Sequence, residues 1–196
     1  MPASLFTTLD SELTVAGLNR RTTRARDWFI RRLKTLNNVT PNKVLRDPEL
    51  IKKTKPLPGR MFMFIYDPKL KAELPYYDKF PLILMVGPAE GGFYGLNLHY
   101  LAPRPRARFL DRIMQYATSS NLTENTRIQM TYNFLKKSSN LKDFGPCFKH
   151  YLTNHVRSNV MMVPATEWDI AIFLPTERFI KASKETVWKD SRSMVK

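Results

Sequence analysis

Two nearly unbroken apolar runs, Met61 to Ile65 and Phe80 to Val86, and a third segment after paired glycines, Phe93 to Tyr100, do most to limit what this chain can fold into. Each has the length of a strand rather than a helix. The first two do not alternate with polar residues, so each predicts a strand covered on both faces. Asp67-Pro68 turns the chain after the first run, and Gly87-Pro88 with Gly91-Gly92 brings the second and third into a hairpin. Val156 to Pro164, carrying Val160, Met161, Met162 and Val163, supplies a fourth strand. Helical periods lie before, between and after these runs. The predicted fold is therefore α+β: a small, mostly antiparallel sheet packed with helices, preceded by an N-terminal arm and a basic amphipathic helix. At 196 residues with 43% hydrophobic side chains, the chain has the size of one domain with a sizeable core.

The N-terminal third is distinct in charge. The whole chain carries 32 Lys and Arg against 17 Asp and Glu, a net charge of +15, and residues 1–60 hold 13 basic and 5 acidic side chains, a net +8. Residues 1–20 show no sustained period, which predicts an arm that orders only against a neighbour. From Thr22 onward Ala25, Trp28, Phe29, Leu33 and Leu36 fall on one stripe, with Arg20, Arg21, Arg24, Arg26, Arg31 and Lys34 around it. Asn37 and Asn38 stop this helix. Thr40-Pro41 then predicts an N-cap and first helical residue leading through Val44, Leu45, Leu50 and Ile51. Lys52 to Arg60, with Pro56, Pro58 and Gly59, reads as a stiff basic linker. This divides the chain into a segment 1–56, arm and basic helix, and an α+β body, 57–196.

Within the body, Ala107, Leu110, Ile113, Met114 and Ala117 keep a helical period up to a break at Ser119-Ser120-Asn121, with Arg104, Arg106, Arg108 and Arg112 at its start and outer face. A further helix begins at Thr123. Cys147 to Leu152 predicts a short helix, Trp168 to Leu174 is apolar and β-prone, and Glu177 to Val187 predicts a last helix with Arg178, Lys181 and Lys184 on its basic face.

The chemistry in the sequence is that of holding rather than of reaction. A lone Cys147 excludes an internal disulfide or a thiolate zinc site, and a packed thiol is the expected state. His99, His150 and His155 lack the spacing of a metal triad and are expected to be hydrogen-bonded structural residues, so no metal is assigned. No phosphate-binding glycine loop, nucleophile elbow or carboxylate cluster is present, and no cofactor is expected. Asp67, Glu73 and Asp78 sit among lysines and predict a solvated loop. No apolar stretch approaches the roughly 18 residues that span a bilayer. Met1 to Leu9 lack the order of a signal peptide, so a cytoplasmic chain is expected.

The basic helix and Arg104, Arg106 and Arg108 are the candidate surface for an acidic partner, because Arg pairs bidentately with phosphate and carboxylate. Nucleic acid and acidic protein fit equally at this level, with a membrane surface last. Trp28 and Phe29, and Tyr76 and Tyr77 between Pro75 and Pro81, are candidate protein-interface residues.

Four blocks carry a resemblance: Pro58 to Phe64, Leu74 to Leu82, Gly92 to Leu101 and Glu167 to Ala171. In them the chain resembles virion-associated proteins of large contractile-tailed bacteriophages, members of which are labelled DNA end protectors. The resemblance covers roughly residues 58–185 and leaves the basic N-terminal region outside. It implies a non-enzymatic component of the phage particle, found in the virion and, during assembly, in the host cytoplasm. Its expected role is in the neck or baseplate, with the N-terminal arm clasping other phage structural proteins and a homo-oligomer within a symmetric particle possible. The alternative is a DNA-binding protein that protects the ends of packaged DNA. A nuclease that trims those ends is a third class, which incubation with Mg²⁺ or Mn²⁺ tests directly.

Overall fold

The computed structural model describes residues 4–36, 39–55, 57–117, 121, 123–139 and 142–194; Asn37, Asn38, Pro56, Ser119 and Ser120, expected to break elements, lie outside them. The fold is α+β. Among the described residues, seven helices, α1 Leu5–Val15, α2 Thr23–Lys34, α3 Pro41–Leu45, α4 Pro103–Ala117, α5 Glu124–Ser139, α6 Trp168–Ala171 and α7 Lys184–Ser193, accompany eight strands. The strands are β1 Ile51–Lys53, β2 Met61–Met63, β3 Tyr77–Asp78, β4 Leu82–Ala89, β5 Gly92–Asn97, β6 Phe148–Leu152, β7 Val160–Val163 and β8 Phe179–Ile180. Six form an antiparallel sheet in the order β1-β7-β2-β4-β5-β6, and β3 pairs with β8 apart from it.

The apolar runs become strands because both sheet faces are covered. Met61, Met63, Leu82, Leu84 and Leu96 point to the helical side, where they join Phe29, Ile113, Trp168 and Val187 in the main core. Phe62, Phe64, Ile83, Met85, Phe93 and Tyr151 form a second, largely aromatic cluster on the other face. The sheet curls over this cluster: Tyr66 bridges Val156, and its hydroxyl accepts the Leu152 N–H at 3.1 Å. The β4–β5 hairpin turns through Glu90-Gly91, with Gly91 at φ 67°, a conformation that favours glycine.

Several expectations are corrected. Residues 5–15 are a helix, not an unstructured arm. Phe6, Leu9 and Leu13 recur along one face and bury there, and Asp47 holds the helix start by accepting the Ser4 Oγ–H at 2.8 Å and the Leu5 N–H at 2.7 Å. The second basic segment is shorter than its pattern implies: α3 ends at Leu45, and Ile51 to Lys53, expected in a helix end and linker, pair with β7 as an edge strand. Lysines on such an edge discourage pairing with other chains. Phe148 to Leu152 is a strand rather than a helix, since Tyr151 fills the aromatic cluster. Trp168 to Ala171 is a helical turn, and Arg178 and Lys181 precede α7 rather than lying on it. Apolar residues from either side of position 56 share one cluster: Phe29 stacks on Phe173 with ring centroids 5.6 Å apart. Among the described residues no helix is long and apolar enough to cross a membrane.

Candidate nucleic-acid interface

Helix α2 forms where Thr22 caps it, its hydroxyl accepting the Ala25 N–H, and Ala25, Phe29 and Leu33 at four-residue spacing bury against the body. Its arginines then divide into two groups. Arg20, just before the helix, pairs with Asp10 of α1 at 2.7 Å, lies 3.6 Å from Glu167, and donates to the Thr166 carbonyl. Arg21, at φ 68°, pairs with Asp169 of α6 at 3.0 Å, and this contact holds a strained turn in place. Arg26 pairs with Asp111 of α4. Arg32 grips both carboxylate oxygens of Glu12 at 2.6 and 2.8 Å, and these hydrogen bonds hold the Glu12 carboxyl below its usual range. These four fasten α1 and α2 to the body, so much of the N-terminal basic excess is neutralised within the molecule. Arg24, Arg31 and Lys34 are exposed and have no carboxylate partner among the described residues.

Helix α4 meets α2 through the Arg26–Asp111 pair and the approach of Arg104 to Asp27. Ala107, Leu110, Ile113 and Met114 face the core, leaving Arg104, Arg108 and Arg112 as an exposed stripe at successive turns. Like charges one turn apart cost about 0.2–0.5 kcal/mol per pair in an isolated helix. Among the described residues only Arg104 has an acid near it, Asp27 at 3.6 Å, and Arg104 keeps 82% side-chain exposure. An open groove of about 550 Å³ separates α2 from α4, lined by Thr23, Arg26, Asp27, Arg104 and Arg108. Arg104 and Arg108 line this groove, and Arg24, Arg31 and Lys34 of α2 and Arg112 of α4 are exposed on the same two helices.

Arg106 is a correction. Expected on the basic surface, it is fully buried. Its guanidinium donates to the Ile172 carbonyl at 2.6 Å, to the Leu101 carbonyl at 2.9 and 3.2 Å, and to Glu177 Oε1 at 2.9 Å. Burial would raise the Glu177 carboxyl, but the charge of Arg106, aided by His99 and hydrogen bonds, overrides it and brings the group down to about 2. The pair pins the start of α4 to the segment before β8, and so positions the arginine stripe. Sequence could not separate Arg106 from its neighbours because the run Arg104 to Arg108 alternates every second residue, while burial follows the helical period.

The aromatic candidates pack inward to different degrees. Phe29 is 1% exposed and belongs to the core, which corrects its assignment to an interface. Trp28 is half-buried against its edge at 5.2 Å. Tyr76 and Tyr77 are also half-buried, Tyr76 lying 6.1 Å from the Tyr100 ring and 6.4 Å from Phe179.

Asp78, expected in a solvated loop, is instead the centre of a buried network. Its Oδ2 lies 2.6 Å from His99 Nδ1 and accepts from the Asn97 amide at 3.1 Å; Oδ1 accepts the Phe80 and Arg178 N–H groups. His99 Nε2 lies 3.1 Å from the Thr176 hydroxyl. An acid, a histidine and a hydroxyl in line have the order of a nucleophilic triad, but His99 and Thr176 are wholly buried, so no substrate reaches the hydroxyl. The network ties β3, β5 and the approach to β8 together. His150 and His155 bond the Glu90 and Asp67 carbonyls at 3.0 and 2.8 Å. Cys147 is free and buried, and burial pushes its thiol up to about 12. Among the described residues no three His, Cys, Asp or Glu come together as a metal site.

Arg192 of α7 joins this basic side and was not singled out in the sequence, because the last helix begins seven residues later than its pattern suggested. No curated protein and no solved structure matches the chain. The family described as phage T4 terminal DNA protecting protein matches residues 9–192, which brings the basic N-terminal helix inside the resemblance that residues 58–185 alone had suggested. With nearly its whole length covered by that match, the chain belongs to the phage T4 terminal DNA protecting protein family.

Proposed function

We propose that this protein binds the ends of linear duplex DNA in a phage and shields them, using the α2–α4 face for phosphate contacts. The observation that carries the reading is the stripe Arg104, Arg108 and Arg112 on α4 with Arg24, Arg31 and Lys34 on α2, six exposed cations of which, among the described residues, only Arg104 has a carboxylate partner, Asp27 at 3.6 Å. Three guanidinium groups at successive turns span about 12 Å along α4, a geometry suited to a row of phosphates rather than a single carboxylate. Family membership favours DNA ends over a neck or baseplate role. The motive for the clasping role also weakens, since residues 5–15 pack on their own body. The protein acts by covering rather than cutting, with residence in the virion and in the host cytoplasm during assembly as part of the same reading.

Six phosphate contacts predict a slope of about −5 for log affinity against log salt. Fluorescence anisotropy on linear and nicked circular duplexes of equal length, from low to physiological salt, tests this. Tighter binding to linear DNA with a steep slope supports the reading. Absence of binding at low salt, or a slope near zero, rejects it. Incubation with linear DNA and Mg²⁺ or Mn²⁺ should leave the DNA uncut.

A further inference from the structure

We propose that the cleft between α4 and α7 is a phosphomonoester pocket that receives the 5′-phosphate of a DNA end; this rests on the DNA-end reading above. The cleft encloses about 350 Å³, at the small end of ligand sites and enough for one terminal nucleotide. Arg108 and Arg112 line it from α4 and Arg192 from α7, and among the described residues no carboxylate lines it. Arg108 and Arg112 have no partner among the described residues, and Arg192 uses only its Nε, donating to the Trp188 carbonyl at 3.3 Å. Three guanidinium groups around one small cavity repel each other unless an anion sits between them.

A second observation points to the same ligand. Ser191 lines the cleft, is 4% exposed, and its Oγ has no hydrogen-bond partner among the described residues. Buried hydroxyls are almost always satisfied, and the helix-start serines Ser4 and Ser183 are. The Oγ itself is covered, so the Ser191 side chain must turn outward before an incoming phosphate oxygen supplies the missing acceptor. Trp188, half-buried and fixed by its indole N–H donating to the His99 carbonyl at 2.8 Å, lines the cleft with Tyr100 and Phe109, and with Lys184 Nζ 5.6 Å over its ring it offers an aromatic wall to a terminal base.

The arrangement suits an end better than the middle of a strand. A phosphomonoester has three terminal oxygens and close to two charges at neutral pH. That matches three arginines and a hydroxyl, whereas an internal phosphodiester offers one charge and is flanked by sugars on both sides. Arg108 lines both this cleft and the groove between α2 and α4, so a strand whose end sits here continues over the basic face.

The test uses the full chain and three labelled duplexes of equal length. One has a hairpin at one end and a 5′-phosphate at the other, the second has a 5′-hydroxyl instead, and the third is closed at both ends. The phosphorylated end should bind about tenfold tighter than the hydroxyl end, the worth of a charge-assisted hydrogen bond. Ser191→Ala and Arg192→Gln should each bring that ratio towards one, while Lys189→Gln, on the same helix but outside the cleft, should keep it. Millimolar inorganic phosphate should lower the ratio in the wild type. Equal affinity for the two open duplexes, both above the closed one, overturns the pocket and leaves end binding intact. Equal affinity for all three overturns both. A ratio preserved in both cleft variants also overturns the pocket, and thermal unfolding shows that the variants are folded.

Discussion

Replacing Glu177 by Gln removes one charge from the pair that anchors α4 while keeping the shape and an acceptor for Arg106. Holding the carboxyl at about 2 rather than 4.5 is a difference of about 2.5 units, worth about 3 kcal/mol at 1.36 kcal/mol per unit. The side chains are 1% and 7% exposed, so solvent screens little of this, and the figure sits at the low end of losses for a broken buried pair, about 3–5 kcal/mol. Because the folded group titrates below the unfolded one, the unfolded chain takes up the proton first as pH falls. The stabilisation is complete above about pH 5, is lost as pH drops towards 2, and stands at about half its value at pH 3. Urea unfolding followed by tryptophan fluorescence reads this directly. Wild type should exceed Glu177→Gln by about 3 kcal/mol at pH 7 and by roughly half that at pH 3. A gap that does not narrow with pH, or one below about 1 kcal/mol at pH 7, refutes the charge-based account.

Other substitutions probe different layers. A Cβ on Gly92 would lie 1.8 Å from the Tyr151 carbonyl oxygen, so Gly92→Ala must separate β5 from β6; calorimetry should show a loss of about 3 kcal/mol or more, and a near-neutral result contradicts that pairing. Cys147 should resist an aromatic disulfide reagent at pH 8 and react fully once unfolded in urea, since burial suppresses its thiolate; rapid labelling of folded protein counts against its packing. Arg24→Gln with Arg31→Gln should reduce the DNA salt slope by about two and leave unfolding stability within about 0.5 kcal/mol, whereas an unchanged slope removes both from the interface.

The parts legible in the sequence are those where one physical signal dominates. The strand-length segments yield β2, β4 and β5, the onset of the helical period at Thr22 places the start of α2, and the Thr40-Pro41 cap places that of α3. Elsewhere tertiary contacts decide. Phe148 to Leu152 carries no strand alternation, yet Tyr151 is drawn into an aromatic cluster built by residues 60 to 90 positions earlier in the chain, and the backbone follows. Helix α1 has few strong formers, and its start depends on Asp47, 42 residues distant from Leu5. The basic helix and the Arg104 to Arg108 run were legible as basic segments, but not which of their members stay exposed. Which arginines remain free depends on where Asp10, Glu12, Asp111, Asp169 and Glu177 arrive in the fold, and those partners are as much as 148 residues away.

Digestion by a processive exonuclease measures directly how far the α2–α4 face covers DNA ends. A linear duplex mixed with the wild-type protein at low salt should survive while free duplex is degraded, and survival should fall with salt and with Arg108→Gln combined with Arg112→Gln. Degradation at the same rate with and without protein, or full protection by the doubly substituted variant, contradicts the account.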